Sequence, residues 1–304
     1  MTHTHRYKNI TWVDIEHPTP DDVRAIIGEY KIEPAVAQEL LFPTPDPLVE
    51  RYPNYIYLVI HFPAWKHTHR EKVQEIDFLI GKDFIISARY DSIDALHKFS
   101  KMFEVSEILE RRQTEVVHAG SLFYWMMREI YLSLHDELAV AGDMLVDIEE
   151  KMFAGKEREM VRELSKLSRE LLTFQHATEL HEDILASYRI ASVAFFGNGY
   201  EYEAGLIQKE YAQVRRLVTG YKESLDELRD TNDSLLSNKQ NEIIKILTVI
   251  LFITAVMQIF LGLFAIDNIA RAVIGTPNDF WVILGGLIAI GATMLWYFSK
   301  KEWL

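Results

Sequence analysis

The chain has 304 residues, long enough for two domains, and its 49% hydrophobic and 25% charged content is that of an ordinary globular protein. A net charge of −13 excludes a nucleic-acid partner, because phosphate binding needs basic stripes, and an acidic protein instead gathers cations. The absence of cysteine excludes disulfides and thiolate metal sites.

The opening MTHTHRYKNITW is polar and lacks the apolar core of a signal peptide. Residues 1–103 alternate strand and helix signals and read as an α/β domain. Ile10–Val13 is a predicted strand. Thr19–Glu29 is a predicted helix, with Thr19 as cap, Pro20 in the first turn, and Asp21 and Asp22 near its positive end. Pro43–Tyr55 reads as a proline-rich turn. Tyr55–His61, Gln74–Ile80 and Phe84–Ala88 read as strands, and Ser92–Phe103 as a helix. No glycine-rich phosphate loop is present.

Residues 104–203 read as a helical hairpin that turns at Ala154 and Gly155. Its acidic positions Asp143, Asp147, Glu149 and Glu150 would form a cation-attracting face or, as charge-rich helix surfaces usually do, a solvated one. Phe196–Gly199 interrupts the helical pattern.

From Ile207 the apolar positions Tyr211, Val214, Val218, Tyr221, Leu225, Leu228 and Leu235 follow steps of three and four, a heptad seam. With no proline between Ala204 and Ile266, one helix of about 60 residues, roughly 90 Å, would run through a stalk (204–245) into the apolar segment beyond. So long a helix needs partners, either on its own chain or in a bundle of copies. A second stripe favours the bundle. It consists of Asp230, Ser237, Asn241, Ile244, Thr248, Leu251, Ala255, Gln258 and Gly262, polar at its ends and small or apolar in its middle. Gln258 lies deep in an apolar span, where an amide must face a wet axis or hydrogen-bond to another helix.

Residues 246–266 and 280–298 carry no charge and are long enough to cross a bilayer as helices. The joining segment 267–279 contains Gly275 and Pro277, so both flanks lie on one side. Lys239, Lys245, Lys300 and Lys301 flank the spans and only Arg271 lies between them, which predicts a cytoplasmic N-terminal domain and a cytoplasmic basic tail (299–304). Trp281, Trp296, Tyr297 and Trp303 sit where interfacial aromatics belong.

Histidines offer little chemistry. His3 with His5, and His67 with His69, are spaced for zinc but lack further ligands and read as loop or disordered residues. His176 and His181, five apart on one predicted helix, do not share a face. There is no serine–histidine–acid arrangement, no GxSxG and no HExxH, and no enzyme chemistry is expected.

NKQNEIIKILTVILFITAVMQIFLGLFAIDN (238–268) resembles the pore helix of CorA-type divalent-cation transporters, and the closing YFSKKEWL resembles that family's aromatic, basic terminus. ITWVDIEHPTPDDVRAI, VERYPNYIYLVIHF and DFLIGKDFIISARYD resemble its cytoplasmic αβα domain. VDIEEKMFAGKEREMVRELSKLSREL resembles its helical hairpin. The resemblance implies a funnel-shaped homopentamer in the cytoplasmic membrane, with both termini cytoplasmic, five first spans lining a pore and the second spans outside them. It puts Asp230 near the cytoplasmic entrance, Asn241 at the membrane boundary, and Ile244 and Leu247 in a narrow apolar neck that closes by dewetting. Leu251 and Ala255 follow, and Gln258 and Gly262 line the outer half. The implied cargo is Mg2+, with Co2+, Ni2+ or Zn2+ as further ions, and no cofactor is expected.

The family's Gly-Met-Asn signature is replaced here by Ala265, Ile266 and Asp267. Five Asp267 carboxylates about 8 Å apart repel by about 0.5 kcal/mol per pair in water, so such a ring is tolerable and would concentrate divalent cations. Asp267 and Asp230 are the expected metal-contacting residues. The family's mid-span proline is Val256 here, and a cytoplasmic gating aspartate falls at Leu206. Two alternatives accompany this reading: a zinc transporter like the ZntB branch, and a non-conducting membrane protein on the same frame.

Overall fold

The computed structural model describes residues 2–63, 73–91, 93–104, 118–264, 279–301 and 303. They divide into two compact units, Met1–Arg229 and Asp230–Leu304.

The first unit is built on a six-stranded sheet of order β1-β2-β6-β5-β4-β3. Its strands are β1 (Thr2–Tyr7), β2 (Ile10–Glu16), β3 (Leu48–Arg51), β4 (Ile56–Pro63), β5 (Val73–Ile80) and β6 (Phe84–Arg89). β2 and β6 run parallel, and the other pairs are antiparallel. β4, β5 and β6 are covered on both faces, so nearly all their residues are buried; β4 reads as a near-continuous apolar run, while β5 and β6 carry buried polar residues among the apolar ones.

On one face lie α1 (Pro20–Tyr30) and α2 (Pro34–Glu39), which bury Val23, Ile26, Val36 and Ala37 against Val13, Ile15, Val59 and Leu79. α1 starts as its sequence predicts: the Thr19 side chain accepts from the Asp22 amide, and the Asp22 carboxylate accepts from the Thr19 amide, a capping box. On the other face lie α3 (Asp94–Glu104), α4 (Ala119–Phe153) and α6 (His181–Phe196). Ring contacts tie them to the sheet: Trp12–Phe99 at 5.6 Å, Phe78–Phe123 at 5.1 Å and Phe62–His181 at 5.2 Å. α4 and α5 (Glu157–Thr178) form the expected hairpin around Ala154 and Gly155, where Gly155 has φ 86°. Gly197, at φ 98°, ends α6 and is followed by a short 3-10 turn, Asn198–Tyr200.

Several expectations change. His3 and His5 are not loop residues: they lie in β1, paired with β2, and the His5 ring stacks on Trp12 at 4.9 Å. The proline-rich stretch contains β3, an edge strand whose pairing to β4 needs only four residues. His176 and His181 are not on one helix, because α5 ends at Thr178 and α6 begins at His181. His67 and His69 lie outside the described residues.

α7 (Glu201–Phe264) contributes its first part to this unit. The heptad seam packs on the same chain: Ile207, Tyr211, Val214, Val218 and Leu225 are buried. The Tyr211 ring lies tilted against those of His181 (5.7 Å) and Tyr131 (6.2 Å), and Tyr200 donates to the Gly120 carbonyl at 3.0 Å. Of the two partners open to the seam, its own chain is the one observed.

His181 is fully enclosed. Its Nε2 lies 2.6 Å from the His61 carbonyl and its Nδ1 lies 2.9 Å from the Tyr131 hydroxyl. A carbonyl only accepts, so Nε2 carries the proton and Tyr131 donates to Nδ1. Burial pushes the imidazole down to about 4 from the usual 6.5. The unfolded chain therefore takes up a proton here before the folded one does, and the stability that neutral His181 contributes is lost as pH falls from about 6.5 to about 4. Relative to His181→Gln, which keeps a donor for the His61 carbonyl, the protein should lose roughly 3 kcal/mol across that window. Thermal unfolding of both proteins against pH checks this, and a difference independent of pH refutes it.

The second unit holds the rest of α7 together with α8 (Asp279–Lys300). Both helices are long and apolar enough to cross a membrane.

Candidate functional site

Among the described residues of the second unit, α7 and α8 meet along a seam. Val249 is 1% exposed, and Phe252 meets Phe298 edge-on at 6.0 Å. On α8, a Cβ added at Gly286 would lie 3.6 Å from Phe260, and one at Gly291 would lie 4.0 Å from Met257. Small residues on α8 thus face large ones on α7, which lets two apolar helices approach closely without a hydrophobic drive. The α7 face toward α8 is therefore the one carrying Val249, Phe252, Met257 and Phe260.

The predicted stripe lies elsewhere on the cylinder. At about 100° per residue, Leu251 stands about 200° round the helix from Val249, and Ala255, Gln258 and Gly262 fall within about 40° of Leu251. Asp230, Asn241, Ile244, Leu247, Leu251, Ala255, Gln258 and Gly262 are all exposed within the single chain. Nothing lies within 4 Å of a Cβ built on Gly262. Leu247 and Thr248 flank the stripe on either side, and the Thr248 hydroxyl donates to the Ile244 carbonyl at 2.7 Å, so it is satisfied within its own helix. One face of α7 thus packs on α8, while the opposite face presents an ordered series of amides, small residues and aliphatics that meet no partner among the described residues.

The far end of α8 carries its basic and aromatic residues as interleaved pairs. Lys300 lies over Trp296 at 5.3 Å and Lys301 over Tyr297 at 5.6 Å, an arrangement suited to a lipid headgroup region. Ala265, Ile266 and Asp267 lie outside the described residues. Asp230 opens the second unit as an exposed carboxylate. Among the described residues no group of three or more histidine, aspartate or glutamate side chains is gathered to hold a metal ion. The acidic positions Asp143, Asp147, Glu149 and Glu150 are exposed on α4, and Asp147 pairs with Lys151.

Reading the sequence for polar residues in apolar helices found the stripe, but it passed over the polar interior of the sheet. Asp14 is 4% exposed on β2. It receives Arg89 Nη2 at 3.0 Å and the Ser87 hydroxyl at 2.7 Å, and Ser87 in turn accepts from the Trp12 indole at 2.9 Å. Arg89 also reaches Glu16 at 3.2 Å. On the opposite face Glu75 and Asp77 are buried side by side on β5. The signal was carboxylates at alternate positions within β5, whose residues from Gln74 onward are all buried.

A three-layered α/β/α unit followed by a pair of membrane-length helices, the first exposing a polar-to-aliphatic stripe, defines a class of membrane protein with a large extramembrane domain. The description "CorA-like Mg2+ transporter protein" matches residues 7–301, and the chain belongs to that family. It is 22% identical over 300 residues to the cobalt/magnesium transport protein CorA of Thermotoga maritima, covering 97% of this chain and 83% of that one. Its fold matches the complete CorA magnesium transporter of Methanocaldococcus jannaschii with a TM-score of 0.81 at 20% identity, covering 98% and 93% of the two chains. The cytoplasmic domain of ZntB from Vibrio parahaemolyticus matches with a TM-score of 0.60 at 11% identity, covering 77% and 90%.

Proposed function

We propose that this protein conducts divalent cations across the cytoplasmic membrane as a homopentamer, with Mg2+ the principal ion and Co2+ and Ni2+ as further cargo. The observation that carries the reading is the unpartnered stripe on α7, on the side away from α8. Five copies of that face around an axis turn Asn241 and Gln258 toward water and place Ile244 and Leu247 in an apolar neck. Asp230 then stands at the entrance and Asp267 at the outer mouth. The names of the relatives, cobalt/magnesium transport proteins, support the choice of ions. The likeness to a ZntB domain keeps Zn2+ as the alternative cargo.

Residues 246–266 and 280–298 are the proposed spans, and 267–279 is the proposed outer loop. Lys239, Lys245, Lys300 and Lys301 hold the N-terminal domain and the tail in the cytoplasm. Flux into proteoliposomes, measured separately with Mg2+, Co2+, Ni2+ and Zn2+, tests the proposal. Saturable Mg2+ entry is the expected result, zinc entry alone favours the ZntB-like reading, and no divalent flux at any concentration leaves a non-conducting membrane protein. Asp267→Asn should weaken the half-saturating concentration roughly tenfold, about 1.4 kcal/mol, while the oligomer measured by mass in detergent stays intact. An unchanged half-saturation would remove Asp267 from the ion path.

A further inference from the structure

β5 carries Glu75 and Asp77 on the same face as α1 and α2, two residues apart and therefore adjacent. Glu75 is surrounded by donors. Both of its oxygens lie 2.8 Å from the Thr44 amide, and Oε2 lies 3.2 Å from His61 Nε2 on the neighbouring strand. Asp77 is different. It is 0% exposed, Oδ2 accepts from the Tyr57 hydroxyl at 3.2 Å, and Oδ1 is enclosed without a hydrogen-bond partner. A buried carboxylate oxygen with nothing to accept is costly. If Oδ1 instead bears a proton, it becomes a donor, and the neighbouring Glu75 carboxylate is the acceptor it needs.

The surroundings agree with one proton shared by the two groups. Facing the pair are Tyr57 and His61 from β4, Glu39 from α2, Tyr90 beyond β6, and His17 and Asp91 at the rim of the adjoining cleft. None of these described residues is a lysine or arginine. Burial, followed by the charge of Glu75 and the hydrogen bond to it, pushes Asp77 well above the usual carboxylate range.

We propose that Glu75 and Asp77 form a proton-binding site in the α/β domain, in which one proton at neutral pH is carried on Asp77 Oδ1 and donated to a Glu75 oxygen. This goes beyond the transport reading and does not depend on it. A cleft of about 850 Å³ beside Glu75, lined by Pro43, Thr44, His61 and Tyr90 among others, gives solvent a route to the outer carboxylate. Loss of the proton leaves two adjacent negative charges in a dry site. Glu75 is then driven toward the cleft, and it carries with it the Thr44 segment that joins α2 to β3. Alkaline pH thus loosens that connection.

Infrared difference spectroscopy on the full-length protein in detergent, titrated from about pH 5 to about pH 9, tests the site. The wild type should show the carbonyl stretch of a protonated, buried acid at neutral pH and lose it on alkalinisation, and Asp77→Asn should lack it. The linkage has a definite sign. The folded protein holds this proton more tightly than the unfolded chain, so the stability it contributes is complete below about pH 4 and falls as pH rises. Asp77→Asn, an amide that donates permanently, should flatten that alkaline fall in unfolding temperature. Glu75→Gln removes the like charge and should move loss of the band to lower pH by at least tenfold in proton concentration. A neutral-pH spectrum without a protonated-acid band, or a Glu75→Gln midpoint equal to the wild type, overturns the proposal.

Discussion

Replacing Asp14 with Ala should lower the stability of the α/β unit by about 3–5 kcal/mol, the largest single effect expected in the sheet. The size follows from what is left behind. Arg89 is 4% exposed and directs Nη2 to Asp14 Oδ2 at 3.0 Å, with Nε at 3.3 Å from both Asp14 oxygens. Without Asp14 the guanidinium keeps Glu16 and the Asp91 carbonyl but loses its enclosed counter-charge. Ser87 loses the acceptor for its hydroxyl as well. A domain is stable by only about 5–15 kcal/mol, so one such change takes a large share of the margin. The double variant Asp14→Leu with Arg89→Met should recover most of the loss, because it removes both charges and leaves volume in place. Urea unfolding of the three proteins measures this. Equal losses in the single and double variants would mean that packing, not the orphaned charge, sets the cost.

In the conduction reading, Leu247→Gly should raise resting divalent flux by about one order of magnitude, equivalent to about 1.4 kcal/mol off the barrier. Leu247 is 54% exposed in the single chain and Ile244 is 50% exposed, so neither is needed to pack α7 on α8. In a pentameric neck their side chains would narrow the axis until water leaves it, and removing five isobutyl groups would rewet it. The substitution costs helix propensity of about 1 kcal/mol per copy. Leu247→Ala separates the two effects, since it widens the neck with little helix cost. Flux in liposomes is the readout, and unaltered flux in both variants would move the gate elsewhere.

The sequence made the interior strands legible and left the margins obscure, for a physical reason. β4, β5 and β6 are covered on both sides, and apolar stretches such as Ile56–Ile60, Phe78–Ile80 and Phe84–Ile86 marked them. β1 and β3 lie at the sheet's two edges, where pairing on one side suffices and burial is slight. THTHRY and LVER therefore carry no strong pattern. The break between α5 and α6 falls at Glu179 and Leu180, with no glycine or proline to announce it. The stripe on α7 was legible because a helix repeats, so amides at regular spacing stand out from an apolar background. What hid Glu75 and Asp77 was their chemistry: carboxylates count as surface residues until a neighbour supplies the proton or donor that lets them sit inside.

The parallel pairing of β2 with β6 also bears on how the chain is made. Asp14 and its partner Arg89 are 75 positions apart, and between them come α1, α2 and three further strands. At translation rates of about 5–20 residues per second, the first hairpin waits roughly 4–15 s before the strand that anchors it has been synthesised. During that interval Trp12 and Ile15 are greasy and uncovered. A nascent chain arrested shortly before Phe84 should therefore be a better client for holding chaperones than one arrested after Arg89.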